Sequence, residues 1–478
     1  MRIPQSDLLA VLRNYNPWWQ NQPLPDLPNW KRAAYYKIAA WAAEPPAGRA
    51  LLLSGARQVG KTTLFLQAIQ ELLDQKIPPG NILYATLDHP LLKLAGLEQI
   101  LEAWQEREPR REGPLYLFID EIQSAKDWQT WIKHQVDFHK GQRRIAVTGS
   151  ATPLVTENQE SGVGRWQTIK LATLSFYEYL QIRSEPVPTL PQIRSLRQLF
   201  DWKESNFQEV SHVARPIIAL FHEYLLRSGF PQCSTISSIT LSQKLLREDI
   251  VDKVLKRDMT ALFGVRRVLE IEQVFLYLCM HDGGLLDLQE LCQSLELKRP
   301  TVSNFIDLLE ATHLIYRLRP YGYGKQILRA KSKVYLADAA ISPSTLLKGK
   351  SLLDDPIALG QAAETAFFKH LFTRYYDQTL GFSYWQNKKK EEVDLIVDLA
   401  GRRTVPFEIK YRSPNHTKTK AFPAMQEFCQ NQKIEKGYII TREIDDFKTL
   451  QLSENLRIQK IPAALACYWL GQSEIDRL

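Results

Sequence analysis

Two sets of residues in this chain are spaced to handle phosphate. The first is Gly55-Ala56-Arg57-Gln58-Val59-Gly60-Lys61-Thr62-Thr63. Glycines at that spacing let backbone N–H groups curl around phosphate oxygens, and a helix beginning after them adds the positive end of its dipole. Lys61 is then placed to reach the β- and γ-phosphates and Thr62 to ligate Mg2+, so the loop implies ATP binding. An acidic pair, Asp120-Glu121, follows at a suitable distance. Asp120 would hold Mg2+ through water and Glu121 would polarise an attacking water, which implies hydrolysis as well as binding. The second set is Asp394 with Glu408-Ile409-Lys410. It has the spacing of a metal-dependent nuclease core, where hard oxygen ligands hold Mg2+ and a cation stands beside the scissile phosphate. A Glu-x-Lys pair alone also describes an ordinary solvated strand face.

The elements that must position these groups are visible as patterns. Leu51-Leu52-Leu53-Ser54 reads as a buried strand feeding the glycine loop, and Thr62 to Ile69 carries helical periodicity. Leu115 to Ile119 reads as a second buried strand ending at the acidic pair, and Arg144 to Val147 as a third ending in Thr148-Gly149-Ser150. Ser150 or Thr148 there could sense a γ-phosphate; a plain turn is the other reading. Arg165 reads as a solvated arginine, or as a finger acting in trans if the protein forms rings. Asn16-Pro17-Trp18-Trp19 could pack over an adenine ring or dock on the nucleotide-binding core.

Downstream, Ile271 to Met280 is striped like a helix and Gly283-Gly284 breaks it. Leu285 to Cys292 and Arg299 to Leu309 fit the two helices of a helix-turn-helix, with Lys298, Arg299, Thr301, Ser303 and Asn304 presented as a recognition helix presents its polar residues. Tyr316 to Lys325, continuing to Arg329, Lys331 and Lys333, alternates basic and aromatic residues around Gly322-Tyr323-Gly324. This predicts a hairpin wing whose cations suit phosphate contacts, although such modules also serve as lids or protein contacts. Further on, Gly360 to Leu371 predicts an amphipathic helix carrying Glu364. Phe382–Gln386, Glu392–Asp398 and Val405–Tyr411 predict three strands with Gly401 in a turn. Asp394 and Glu408 alternate with apolar neighbours, so both can face one side of adjacent antiparallel strands. Lys388, Lys389, Lys390, Arg402, Arg403, Arg412, Lys418 and Lys420 could line a DNA channel or only keep the surface soluble.

At 478 residues the chain implies roughly three domains. With 44% hydrophobic and 24% charged residues it reads as an ordinary globular protein, and its net charge of +8 gives a modest lift to a polyanionic partner. The five cysteines form no Cys-x-x-Cys pair, which argues against a zinc site or a disulfide framework. No signal-peptide pattern and no membrane-length apolar run is seen, so the expected location is cytoplasmic.

The glycine loop, Phe118-Ile119-Asp120-Glu121-Ile122-Gln123, Trp128, Thr148-Gly149-Ser150 and Leu174-Ser175-Phe176-Tyr177-Glu178-Tyr179 together resemble prokaryotic AAA+ ATPases. The subgroup is the one with a C-terminal domain of unknown function having a restriction-endonuclease-like core. Tyr224 to Pro231 is similar to that family's Gly-Gly-Phe-Pro segment, with Ser228 where the first glycine would stand. The C-terminal order of helix acid, strand Asp, hairpin and Glu-x-Lys resembles the PD-(D/E)xK nucleases, although Val393 stands in place of the proline. That resemblance implies Asp394 and Glu408 as Mg2+ ligands, Lys410 as the water-positioning cation, and Glu364 completing the site.

The resulting expectation is an α/β architecture. An N-terminal segment (1–45) docks on an AAA+ P-loop core (46–175), followed by a helical lid (176–265), a winged helix (266–340) and a nuclease-like domain (350–478). Catalytic roles fall to Glu121, Asp394, Glu408, Lys410 and Glu364. Nucleotide binding falls to residues 55–63, Asp120 and Ser150. Mg2+ falls to Thr62, Asp120, Asp394 and Glu408. The expected activity is ATP hydrolysis coupled to action on nucleic acid, DNA ahead of RNA, with Mg2+-dependent endonuclease cleavage left open, homo-oligomers allowed and no membrane partner. The alternative is a nucleotide-controlled switch or scaffold whose nuclease-like domain binds without cutting.

Overall fold

A computed structural model describes residues 3–107, 112–150, 164–322, 327, 330–399, 403–411 and 422–475. Tyr323, Gly324, Lys325 and Arg329 of the expected wing lie outside these residues, as do Gly401, Arg402, Arg412, Lys418 and Lys420. The chain forms two compact units, one of Met1–Leu171 with Ala311–His313, the other of Ala172–Glu310 and Leu314–Arg477.

The first unit is built on five parallel strands: β1 (Ala50–Ser54), β2 (Ile82–Thr86), β3 (Leu115–Asp120), β4 (Arg143–Gly149) and β5 (Trp166–Lys170). Their order is β2-β3-β4-β1-β5. Every residue of β1 and β2 is buried, as a parallel sheet covered on both faces requires. The order puts β4 between the strand that feeds the glycine loop and the strand that carries the acidic pair. Residues at the end of β4 therefore stand between the glycine loop and the acidic pair. Phe65 on the Lys61–Asp74 helix meets Phe118 of β3 edge-on at 5.2 Å, fixing the loop helix against the acidic strand. Asn16, Trp18 and Trp19 are buried on β2: the Asn16 side chain donates to Tyr84 O (2.8 Å) and accepts from Tyr84 N (2.7 Å). Both indole N–H groups donate to Ile82 O. These contacts are those of a docking segment.

The second unit opens with helices, beginning with Phe176–Ile182. Ser175 and Glu178 form a reciprocal capping box there: Glu178 N–H donates to Ser175 Oγ (3.2 Å) and Ser175 N–H to Glu178 Oε2 (2.9 Å). Gly229 is required by close approach, since a Cβ would lie 2.6 Å from Leu174 O. Ser228 beside it has φ 87°, a conformation that favours glycine, and its Oγ accepts from Phe230 N at 3.1 Å. The serine thus takes the strained position, while Gly229 makes the close approach.

The helices Val268–Met280, Leu288–Ser294 and Arg299–Ala311 follow. Leu285-Leu286 is not the start of a helix but a short strand, β6, paired with β8 (Ser332–Leu336). The helix begins later because the Asp287 side chain accepts from Gln289 N and Glu290 N, capping it at that point. β8 also pairs with β7 (Ile315–Pro320), and β7 runs beside β9 (Thr379–Gln386) at Arg319 and Pro320. One nine-stranded sheet therefore continues into β10 (Glu392–Leu399), β11 (Arg403–Lys410), β12 (Lys436–Thr441), β13 (Lys448–Ser453) and β14 (Leu456–Pro462). β9, β10 and β11 are antiparallel neighbours, and β11, β12 and β14 are parallel. The long helix Pro356–Tyr375 carries Glu364.

Candidate functional site

In the first unit the glycine loop enters the Lys61–Asp74 helix through Gly60, whose φ is 96°. Gly55 admits no side chain, because a Cβ would lie 2.2 Å from Leu171 O. Arg32 braces the loop by donating to Val59 O at 2.9 Å. The Lys61 ammonium is buried and donates to Gly55 O (2.9 Å) and Ala56 O (2.8 Å), so it folds over the loop it belongs to.

Thr62 Oγ1 donates to Asp120 Oδ2 at 2.6 Å, and Tyr84 OH donates to the same oxygen at 3.0 Å. Adjacent hydroxyl and carboxylate oxygens are the donor set a hard cation prefers, so Thr62 and Asp120 fit Mg2+. When bound there, Mg2+ would neutralise phosphate charge. Thr148 Oγ1 donates to Asp120 Oδ1 and accepts from Glu121 N (3.0 Å). Thr148 therefore orients the acidic pair. Glu121 sits in the left-handed region at φ 56°, and Ser150 Oγ donates to its Oε2 at 3.2 Å. Gln123 donates to both Glu121 Oε2 and Ser150 Oγ. Burial pushes the Glu121 carboxyl above its usual range, Lys61 opposes that, and Asp120 adds to it. A raised, positioned carboxylate beside Lys61 is suited to accept a proton from water.

His313 was not expected at this site. It stands in the left-handed region at φ 58°, two residues beyond the Arg299–Ala311 helix, and its Nε2 lies 2.8 Å from Ser54 Oγ at the end of β1. Burial, with Lys61 and Lys170 nearby, holds its imidazole down at about 3, so it is neutral. Arg165 pairs with Asp137 of the same chain at 3.3 Å, the arrangement of a solvated ion pair.

In the second unit the structure brings Glu364, Asp394, Glu408 and Lys410 into one cluster and adds residues that the sequence patterns did not mark. The Lys333 ammonium, on a side chain only 2% exposed, lies 2.8 Å from Glu364 Oε1, 2.6 Å from Glu392 Oε1 and 3.2 Å from Asp394 Oδ1. Tyr335 OH donates to Glu364 Oε1 at 2.7 Å. Asp394 Oδ2 accepts from Ile409 N at 2.7 Å, beside a register irregularity between β9 and β10. Such bulges re-aim side chains at sites. Lys410 Nζ lies 2.9 Å from Glu408 Oε1, while Glu408 Oε2 is buried with no hydrogen-bond partner. Burial raises the Glu408 carboxyl to about 7 against the pull of Lys410. Burial alone would lower Lys333, but Glu364, Tyr335, Asp394 and Glu392 raise it well above the ordinary range, so it stays protonated.

Lys333 was expected on a wing facing phosphate; it is buried among carboxylates instead. Other cations of that stretch are also engaged: Arg317 with Asp307 (2.8 Å) and Glu310, and Lys331 with Asp287 (2.6 Å). The alternation of Lys333 and Tyr335 with Val334 and Leu336, and of Glu392 with Asp394, is the signal that could have found this face. A Mg2+ ion does not fit among these residues as they stand. Asp394 and Glu364 are committed to an ammonium, and among the described residues no group of three or more His, Cys, Asp or Glu is arranged to hold a metal.

Residues 47–180 match the AAA domain family. With the loop and acidic pair described above, this supports a nucleotide-binding AAA+ ATPase core. Residues 218–351 and 359–462 match two domains of unknown function, DUF8612 and DUF4143. An uncharacterised protein of Haemophilus influenzae is 26% identical over 302 residues, covering 60% of this chain and 66% of that one. An uncharacterised protein of Methanocaldococcus jannaschii is 24% identical over 406 residues, covering 82% and 81%. Among solved structures, C. elegans PCH-2 aligns with 44% of this chain and 60% of its own at 15% identity and a TM-score of 0.27. AMPPCP-bound DnaA from Aquifex aeolicus aligns with 58% and 87% at 13% identity and a TM-score of 0.25. No helix among the described residues is long and apolar enough to cross a membrane.

Proposed function

We propose that this protein is an ATP-hydrolysing switch whose nucleotide state governs DNA binding, and that its C-terminal nuclease-like domain binds without cutting. The ATP half is supported by Lys61 on the loop carbonyls and by the Thr62–Asp120 pair at 2.6 Å. Lys61 moves from those carbonyls to the β- and γ-phosphates, and Glu121 takes the proton of the attacking water. The DNA half is supported by a winged-helix arrangement: three helices, then β7 and β8 with β6 at the side. Lys298, Arg299 and Asn304 are exposed at the start of the third helix, as a groove-reading helix requires.

The observation that carries the coupling is His313. The segment leaving the third helix runs to Ser54, directly before the glycine loop. A change in the loop on binding nucleotide is thereby expected to be felt at His313, within the first unit. For the C-terminal domain, the buried Lys333 favours binding over cleavage.

The test is fluorescence anisotropy with labelled duplex DNA, single-stranded DNA and RNA, measured with ATPγS, with ADP and without nucleotide. Duplex affinity is expected to differ between nucleotide states, to fall with salt, and to lose its nucleotide response in Lys61→Ala. Equal affinity in all states and in the variant would sink the switch. Cleavage of DNA in Mg2+ or Mn2+ that disappears in Asp394→Ala would establish the cutting reading instead.

A further inference from the structure

We infer that the Lys333 ammonium is the resident cation of the C-terminal carboxylate cluster, standing where a nuclease would hold a divalent metal, so that the native cluster takes up no such ion. The inference rests on the nuclease-like reading of this domain and deepens it.

Three carboxylates, one from the Pro356–Tyr375 helix and two from β10, converge on this nitrogen. An ammonium has three hydrogens, and these three oxygens use them all. The separations of 2.6, 2.8 and 3.2 Å are those of charged hydrogen bonds. Oxygen ligands close to about 2.0–2.1 Å around Mg2+ and about 2.3–2.6 Å around Ca2+. The carboxylates are thus spread for a nitrogen. Three neighbouring oxygens are also engaged, and Glu408 Oε2 alone among those named is left without a partner. Asp394 Oδ2 accepts from Ile409 N, and Glu408 Oε1 is held by Lys410. Glu364 Oε1 accepts from Tyr335 as well as from Lys333. A divalent ion brought to this centre would meet a buried positive charge at contact distance, in surroundings that screen it poorly. The cluster is therefore a fixed charge network whose central position is already held by a cation of the chain itself.

The test titrates Mn2+ into the chelator-treated, nucleotide-free full-length protein and follows bound ion by electron paramagnetic resonance. Wild type should show no Mn2+ site that Asp394→Asn removes; this comparison separates the cluster from Thr62 and Asp120. Lys333→Met should gain Mn2+ affinity by roughly 100-fold, the scale expected when a like charge at contact distance is removed. Adding Asp394→Asn to Lys333→Met should abolish that gain. Thermal melting supplies the second measurement: Mn2+ should raise the Tm of Lys333→Met and leave wild type unmoved. A wild-type Mn2+ site lost in Asp394→Asn overturns the inference, and this arm decides even if Lys333→Met does not fold. A folded Lys333→Met that gains no Mn2+ affinity overturns it equally. Neither result alters the nucleotide response of DNA binding, so failure here is distinguishable from failure of the switch.

Discussion

Lys61 and Lys333 are both buried ammoniums, but Lys61 folds onto the carbonyls of a loop and Lys333 sits among carboxylates. Neutral carbonyls hold a lysine weakly enough to release it to an incoming phosphate. Three carboxylates do not, because removing the ammonium would leave their charges buried and unpaired. The acids differ in the same sense. Asp120 is dressed by the hydroxyls of Thr62, Tyr84 and Thr148, groups that tolerate an added cation. Asp394 is dressed by an ammonium and a backbone N–H. Similar residue types thus make one site that can accept a charged ligand and one whose central position is already taken by a cation of the chain.

The contrast is broken most sharply at Glu121. Glu121→Gln should lower the rate of phosphate release by about 10²- to 10³-fold while leaving nucleotide affinity within a few-fold, as loss of a general base does. An equal loss of affinity, measured by nucleotide titration, would show that Glu121 binds instead of activating water. A smaller effect separates the lysines of the second unit. Lys333→Met should destabilise by about 3–5 kcal/mol in urea denaturation without added metal, the cost of orphaning buried carboxylates. Lys410→Met, on a side chain 40% exposed, should cost less than Lys333→Met, because its one buried partner, Glu408, is raised to about 7 and can take up a proton when the ammonium is removed. Equal costs would erase the distinction between a lysine held by three carboxylates and one held by a single carboxylate.

A further effect concerns pH. His370 accepts from Phe176 N at 2.6 Å, and its Nδ1 faces Ala366 O at 2.6 Å, so the neutral ring has both positions filled. Burial, with Lys369 alongside, holds its pKa well below 6.5. The unfolded chain therefore binds the proton that the folded chain refuses. Stability is full above pH about 6.5 and should fall by up to about 1.4 kcal/mol per unit as pH drops below it. His370→Asn should flatten that slope in urea titrations across pH 4–7; an unchanged slope would place the acid sensitivity elsewhere.

What could be read in the sequence was the chemistry held by local spacing. Residues 55–63 and Asp120-Glu121 are contiguous motifs flanked by apolar strands, and Glu364, Asp394, Glu408 and Lys410 come in a recognisable order. Lys333 was missed because its partners lie at 364, 392 and 394, and its neighbours made it look like part of a basic wing. Thr148 was read as a sensor or a turn. Its bridging role follows from β4 lying between β1 and β3, an order set by tertiary packing. The C-terminal helix Ala463–Ile475 showed no period to read, since it is buried from Ala463 to Ser473 and has no polar face to alternate with an apolar one.

The short Asn16-Pro17-Trp18-Trp19 turn has a consequence for self-association. β2 is the outermost strand of its sheet, and an outermost strand offers free N–H and C=O groups to any other extended chain. Asn16 imitates a neighbouring strand by pairing both ways with Tyr84, and the two indoles cap Ile82 O. The segment acts as a stopper, occupying backbone groups of Ile82 and Tyr84 on a rim from which cross-β stacking could otherwise grow.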